Sequence, residues 1–306
     1  MINDDPRTIP VMTTLDSDAA CQAEAGTLYV LATPIGHLAD LSPRAAALLS
    51  QVDLIAAEDT RVTRRLLEGR SARARLLSVN EHNESGRVEE ILSALADGQS
   101  VALVSDAGTP LISDPGYRLV AAAQARGLRV SPVPGPCAAI AALSAAGLPT
   151  DRFWFEGFLP AKAQARRNRL SELTGQTATL VFYVPARDLP RVLADCCEVF
   201  GEDRPACLAR ELTKRHETIR HAPMGDLAEF VTADANQQRG EAVLVVAGAE
   251  VASPLVRVEA LAAELAAALP PSRAAAILAR LSGLKRREAW DRIEALSPSS
   301  GEEADR

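Results

Sequence analysis

The chain has no apolar run of about 18 residues, the shortest stretch that crosses a bilayer as a helix. Its start offers no secretory leader either. Asp4, Asp5, Asp16 and Asp18 stand where a leader carries a basic residue followed by an apolar stretch. The sequence therefore predicts a cytoplasmic protein without membrane association. Aromatic residues make up only 4% of the 306 positions, so Ala, Leu and Val must fill the core. The cysteines are Cys21, Cys137, Cys196, Cys197 and Cys207, an odd number with no C-x-x-C pair. That pattern supports neither a disulfide framework nor a zinc ribbon, and the thiols read as small buried hydrophobes. Histidines are few and scattered, so a metal cluster is not expected. The G-x-G-x-x-G and G-x-x-x-x-G-K-S/T patterns are also missing, which removes support for ordinary dinucleotide binding and for P-loop phosphate transfer.

What is present is enough apolar sequence, 47% of the chain, to bury cores in two domains. The net charge of −7 is concentrated at the ends. Residues 1–25 carry five acids against Arg7, and residues 297–306 carry three acids against Arg306. The body between them is close to neutral and holds basic clusters, so the overall charge does not argue against a nucleic-acid partner.

Along the chain, residues 1–25 lack periodicity and are expected to be a disordered extension. Residues 26–148 alternate short apolar runs with helical patterns. Strands are expected at residues 27–31, 52–57, 76–79 and 100–104 and from residue 128 onward. Helices are expected after Ser42-Pro43 and over residues 87–96 and 117–126. Such alternation implies crossover units and a mainly parallel sheet. After Gly147-Leu148-Pro149-Thr150 a second α/β block covers residues 149–250. Its expected strands are 152–158, 178–183, 206–210 and 242–246, and its expected helices 163–173, 189–199 and 226–231. Residues 256–296 read as a helical unit resembling a helix-turn-helix. Ser272 is expected to cap its second helix, Gly283 to end it, and the segment from Pro270 to Leu296 carries a net positive charge. Residues 297–306 form an acidic tail.

Three Gly- and Pro-containing loops leave the ends of predicted strands, where α/β folds bind ligands. They are Thr33-Pro34-Ile35-Gly36-His37-Leu38, the stretch from Ser105-Asp106-Ala107-Gly108-Thr109-Pro110 through Leu111-Ile112-Ser113-Asp114-Pro115-Gly116, and Pro134-Gly135-Pro136-Cys137-Ala138. Any one of them is as well explained as a tight turn; three at successive strand ends point to a nucleotide-sized ligand. Ala57-Glu58-Asp59-Thr60-Arg61 places acids after a buried strand, as a polar site or as a helix cap. His82, in Asn80-Glu81-His82, is either a base or a structural histidine. Lys162, Arg166, Arg167 and Arg169 form an acid-free basic run, either a solvated helix face or a set of phosphate contacts. Arg210-Glu211-Leu212-Thr213-Lys214 is a substrate-handling segment or a set of surface ion pairs.

In their order and spacing these loops, together with Glu156-Gly157-Phe158-Leu159-Pro160-Ala161-Lys162 and Gly240-Glu241-Ala242-Val243, resemble the ribosomal RNA small subunit methyltransferase I family of the tetrapyrrole methylases. The resemblance covers roughly residues 26–296. It implies two α/β domains of the tetrapyrrole-methylase fold (class III S-adenosylmethionine methyltransferases) with a small C-terminal helical unit. It also implies S-adenosylmethionine as cofactor, a homodimer, and 2′-O-methylation of a cytidine in the 16S rRNA of the 30S subunit. Two departures stand out. Relatives usually carry Asn where this chain has His37. After Phe182-Tyr183 they carry a Glu and then His-Arg, where this chain has Val184-Pro185-Ala186-Arg187-Asp188.

On this resemblance Pro34, Gly36, Asp106, Ala107, Gly108, Ile112, Ser113 and Pro136 are expected around the cofactor. Glu58, Asp59, Arg61, His82 and Lys214 are candidates for catalysis and substrate handling, with Glu58, Asp59 and His82 all open as proton acceptors. Lys162, Arg166, Arg167, Arg169, Lys285, Arg286 and Arg287 are candidates for RNA phosphates. Two other readings stay open: a methyltransferase of the same fold acting on a tetrapyrrole or other small molecule, and a non-enzymatic RNA-binding assembly protein.

Overall fold

A computed structural model describes residues 22–80, 83–250 and 254–296. The chain divides into two units, between Gly248 and Ala249.

The first unit is built on two five-stranded sheets. In the first sheet β1 (Thr27–Leu31), β2 (Leu54–Ala57), β3 (Arg75–Ser78), β4 (Val101–Val104) and β5 (Arg129–Val133) lie in the order β3-β2-β4-β1-β5, all parallel. Alternate side chains of β2 point to opposite faces. Leu54 and Ala56 join Leu28 and Leu103 against α3 (Glu84–Ala96) and α4 (Tyr117–Ala125), while Ile55 and Ala57 join Leu31 and Val104 against α1 (Pro43–Gln51). Both faces are covered, which is why β2 and β4 are apolar throughout. α1 begins as the sequence predicts: Ser42 Oγ accepts from the Ala45 amide at 3.1 Å and Pro43 occupies the first turn.

In the second sheet β6 (Phe153–Phe158), β7 (Thr179–Pro185), β8 (Pro205–Arg210), β9 (Thr218–Pro223) and β10 (Glu241–Val246) lie in the order β6-β7-β10-β8-β9. Only β6 and β7 run parallel; the remaining pairs are antiparallel. One face packs on α6 (Ala163–Leu173), α7 (Leu189–Phe200) and α8 (Met224–Ala233) through Phe182, Leu208 and Leu244. The other face, with Val181, Ala209 and Val243, packs on Ala142 and Leu143 of α5 (Ala138–Ala145). α5 follows the last strand of the first sheet, so it ties the two sheets together.

The second unit contains α9 (Pro254–Ala268), α10 (Pro271–Ser282) and α11 (Arg286–Leu296) around a small core of Ala262, Ala275, Leu278, Ala289 and Ile293. Gly283, with φ of 74°, ends α10 in the left-handed conformation that glycine adopts without strain.

Three local expectations need correction. The extension does not run to residue 25 as an untethered segment: the Ala23 amide donates to Gln51 Oε1 and the Glu24 amide to the Tyr29 hydroxyl. Residues 1–21 and the tail from 297 lie outside the described residues. Ser272 does not cap α10; the helix starts at Pro271, whose missing N–H costs nothing in a first turn, and Pro270 is the cap position. Strand β9 was not expected, because Thr218–Pro223 is an edge strand with mostly exposed, polar positions and no apolar run.

Candidate active site

The carboxyl ends of β2 and β4 are knitted together by their own acids. The Asp106 amide donates to Glu58 Oε2 at 3.3 Å, and the Asp59 amide donates to Asp106 Oδ1 at 3.0 Å. Thr33, just past β1, exchanges two backbone hydrogen bonds with Gly108, at 2.8 and 3.1 Å. Gly108 has φ of 88°, a conformation that a side chain would strain. Two non-glycine residues of the same loop, Leu111 and Ser113, also have positive φ, of 73° and 66°. Such strain persists only where the surroundings fix it, and it gathers at functional sites.

A second strained turn comes from the other sheet, in the connection between β8 and β9, where Glu211 and Thr213 have φ of 52° and 64°. The two sheets' loops touch here. The His37 amide donates to Thr213 Oγ1 at 3.0 Å, and a methyl group placed on Gly36 would lie 2.6 Å from Lys214 Cγ and Thr213 Oγ1. Gly36 is therefore required by loop-to-loop packing. His37, in the position where a departure was noted, caps the turn after it by accepting the Ala39 amide at Nδ1.

Between these loops lies a cleft of about 450 Å³. Glu58, Asp106 and Asp114 line it from the first sheet, and Glu211, Lys214 and Glu241 from the second. Lys214 Nζ donates to Glu211 Oε1 at 2.9 Å and to Glu241 Oε2 at 2.8 Å. Burial opposes the charge on this lysine, but the two carboxylates outweigh it and raise its pKa. On the apolar side Phe158 is exposed, and it meets the Tyr183 ring edge-to-face with centroids 5.5 Å apart. Arg187 stands at the mouth with its side chain 82% exposed; its nearest carboxylate, Asp188, is 3.9 Å away and makes a 2.7 Å pair with Arg191 instead.

The acids of the cleft differ. Asp114 is raised to about 6, first by burial and then by the neighbouring charges of Glu58 and Asp106, with a hydrogen bond from Ser105 opposing. Burial also raises Asp106. Asp59 behaves oppositely: the Arg61 guanidinium and the Arg61 amide hold it down to about 2. It is the cap of α2 (Thr60–Leu67).

The expected site residues sort accordingly. Asp106, Ala107, Gly108, Ile112 and Ser113 line the cleft, as do Glu58 and Lys214. Pro34, Gly36 and Pro136 do not line it. Pro34 and Gly36 flank Ile35, which does, and the Pro136 carbonyl accepts from Thr109 Oγ1 at 2.9 Å. Asp59 and Arg61 are paired with one another outside the lining. His82 lies outside the described residues. Sequence reasoning did not single out Asp114, Tyr183 or Arg187, and it placed Glu211 and Glu241 only within quoted segments without a role of their own. Asp114 stood within a quoted loop, and its distinguishing feature is its burial beside two other acids, which spacing does not reveal.

The basic run on α6 is mostly internal structure. Arg166 is buried, 3% exposed, with Nε 2.6 Å from Asp195 Oδ2 and Nη1 donating to the carbonyls of Pro160 and Ala161. It cannot reach a phosphate, because its guanidinium is enclosed. Arg167 pairs with Asp195, and Arg169 with Glu156 and Glu172. Lys162 is exposed at the helix start, and Lys285, Arg286 and Arg287 are exposed in the second unit.

The sequence profile of the tetrapyrrole (corrin/porphyrin) methylases matches residues 27–228, the span that builds both sheets up to α8. The chain belongs to this family and is a methyltransferase. It is 53% identical to Ribosomal RNA small subunit methyltransferase I of Pseudomonas aeruginosa over 86% of this chain and 94% of the relative. It is 51% identical to the protein of the same name from Escherichia coli, over 85% of this chain and 92% of that one. In fold it is similar to a cobalt precorrin-4 methyltransferase, with a TM-score of 0.54 at 18% identity, covering 72% of this chain and 95% of the other.

Proposed function

We propose that the chain transfers a methyl group from S-adenosylmethionine to the ribose 2′-oxygen of a cytidine in the 16S rRNA of the small ribosomal subunit. It works in the cytoplasm as a homodimer, with the 30S particle as substrate. The observation that carries this reading is the division of charge in the cleft. Three acids, Glu58, Asp106 and Asp114, line one side, and Arg187 stands at the mouth. A sulfonium cation suits the first and an RNA phosphate the second. The names of relatives 53% and 51% identical support the choice of small-subunit rRNA. Exposed apolar residues such as Leu38 and Tyr117, 66% and 74% exposed, supply surface for a subunit contact.

The residues present fit the donor. The volume is that of a small-molecule site. Gly108 leaves its backbone open to close approach, Phe158 offers a ring face, and Asp114, kept neutral up to about pH 6 first by burial and then by its acidic neighbours, gains when a cation arrives. When bound, the donor supplies a methyl carbon that accepts the 2′-oxygen's lone pair as its bond to sulfur breaks. The protein's task is to hold that oxygen in line with that carbon, which accounts for much of such catalysis. The hydroxyl proton needs an acceptor. Asp59 is a poor one, since Arg61 holds it at about 2. Asp114, with its pKa near 6, is the stronger base and lines the cleft with Glu58.

The test is transfer of labelled methyl from S-adenosylmethionine to 30S subunits lacking the modification, followed by digestion to nucleosides. Label in 2′-O-methylcytidine, free or also N4-methylated, is the expected result. Donor binding with no label on RNA, or label on a porphyrin precursor, would replace this reading with small-molecule methylation.

A further inference from the structure

Beside the cleft, and sharing Glu211 and Gly240 with it, is a second hollow of about 620 Å³. Its lining includes Arg210, Arg215, His216, Thr218 and Arg239. The floor is Arg210, 5% exposed, which spends four of its five N–H donors on neutral groups. Nε donates to Gln237 Oε1 at 3.0 Å and Nη1 to the Arg239 carbonyl at 3.0 Å. Nη2 donates to the His216 carbonyl at 3.0 Å and to Thr218 Oγ1 at 3.1 Å. The buried guanidinium thus draws two backbone segments inward, one from each side; it makes no carboxylate hydrogen bond, and its charge acts on Glu211 and Asp234 only across space. On those segments Arg215 and Arg239 are exposed, and among the described residues neither side chain meets an acid. The hollow also holds two acids, Glu211, which is paired with Lys214, and the exposed Glu217, which accepts the Thr213 amide at 2.6 Å; the three arginines outnumber them.

We infer that this hollow seats the phosphodiester backbone of the RNA strand next to the nucleotide being methylated, with Arg215 and Arg239 as the phosphate contacts. The inference rests on the function proposed above and adds where the substrate strand runs. Three guanidinium groups, one fixed and two free to adapt, form a positive concavity in a chain whose net charge is −7, so a polyanion is drawn to this side of the cleft. Arginine forks match phosphate oxygens in pairs. Contacts of this kind position a strand without reading its bases, which leaves the choice of nucleotide to the cleft. The hollow adjoins the same strained turn, Glu211 to Thr213, that lines the cleft, so a strand seated in it passes directly to the acceptor site.

The experiment uses the full chain and 30S subunits lacking the modification. Arg215→Ala, Arg239→Ala and the double variant are compared with the wild type for donor affinity, KM for 30S, kcat, and the salt dependence of RNA binding. The double variant is expected to keep donor affinity and kcat within about twofold while KM for 30S rises on the order of tenfold. Its log-log salt slope should flatten by about 1.4, at about 0.7 per single-stranded phosphate. Arg215→Lys with Arg239→Lys should recover most of the loss. If the wild type labels 30S and the double variant retains its KM and slope, the hollow is not the strand's seat, although the proposed function stands. A wild type that binds donor and labels no RNA overturns both.

Discussion

Two sets of arginines in this chain look alike in sequence and differ in everything that matters for function. Arg166, Arg167 and Arg169 stand in an acid-free run on α6, yet each is matched by an acid from another element, Asp195 on α7 or Glu156 on β6, and Arg169 also by Glu172 one turn along the same helix. Arg187, Arg215 and Arg239 stand in segments of mixed composition, yet Arg215 and Arg239 have no acid partner among the described residues and Arg187 has only a distant one. A local absence of acids says nothing about pairing in three dimensions. The cation available to a phosphate is the one the fold has left without a partner.

That contrast can be broken first at Arg166. Arg166→Ala leaves the buried Asp195 carboxylate with only the partly exposed Arg167 as partner, and the expected loss is about 3 kcal/mol of stability in denaturant unfolding, the low end for breaking a buried pair. Arg166→Met with Asp195→Leu should regain most of it, and both proteins should keep the wild-type salt slope for RNA. A flattened slope in the folded double variant would return α6 to the RNA surface.

A smaller effect on stability but a larger one on RNA is expected in the second unit. Replacing Lys285, Arg286 and Arg287 with Ala should lower 30S affinity and flatten the slope by about 2 while leaving thermal stability unchanged, because all three are exposed. An unchanged slope would remove this unit from the interface. Arg187→Ala should raise KM for 30S a few-fold, with a slope change of about 0.7, and leave donor affinity as it was.

Asp114 sharpens the contrast from the acidic side. Its folded pKa of about 6 lies above its ordinary value of 3.8, so folding favours its protonated form. The stability this confers is complete below about pH 4 and disappears as pH rises through about 6. Asp114→Asn lacks that dependence. Between about pH 4 and pH 8 its stability relative to the wild type should improve by about 1 kcal/mol, a figure reduced for the group's partial exposure. Donor binding near pH 6 should also release a proton in the wild type and not in the variant, measured by calorimetry in buffers of different ionisation enthalpy. Smallest of all, Arg169→Gln should leave RNA binding unchanged and shift stability by no more than about 1 kcal/mol, since its pairs are partly exposed.

Much of the fold could be read from local pattern. The buried strands of the first sheet are continuous apolar runs, and α6 falls on residues 163–173 as its spacing predicts. One wall of the cleft was accessible for the same reason: Asp106, Gly108, Ile112 and Ser113 occupy one loop at a strand end. What local pattern could not supply was pairing across the fold. The Lys214 clamp needs Glu241, brought in by β10 27 residues later. Gly36 reads as a ligand-approach glycine, whereas it is Lys214 and Thr213 that leave no room for a side chain. The antiparallel pairing of the second sheet was hidden because its polar edge strand β9 carries no apolar signal.

The most direct measurement is a double dissociation on the intact chain: donor affinity by calorimetry and the salt slope of RNA binding, each for Asp106→Asn and for the Arg215→Ala, Arg239→Ala pair. If one cleft joins an acidic donor wall to a basic strand seat, Asp106→Asn loses donor affinity and keeps the slope, and the arginine pair keeps donor affinity and loses slope. Loss of both properties in both variants, or of neither, would contradict that arrangement.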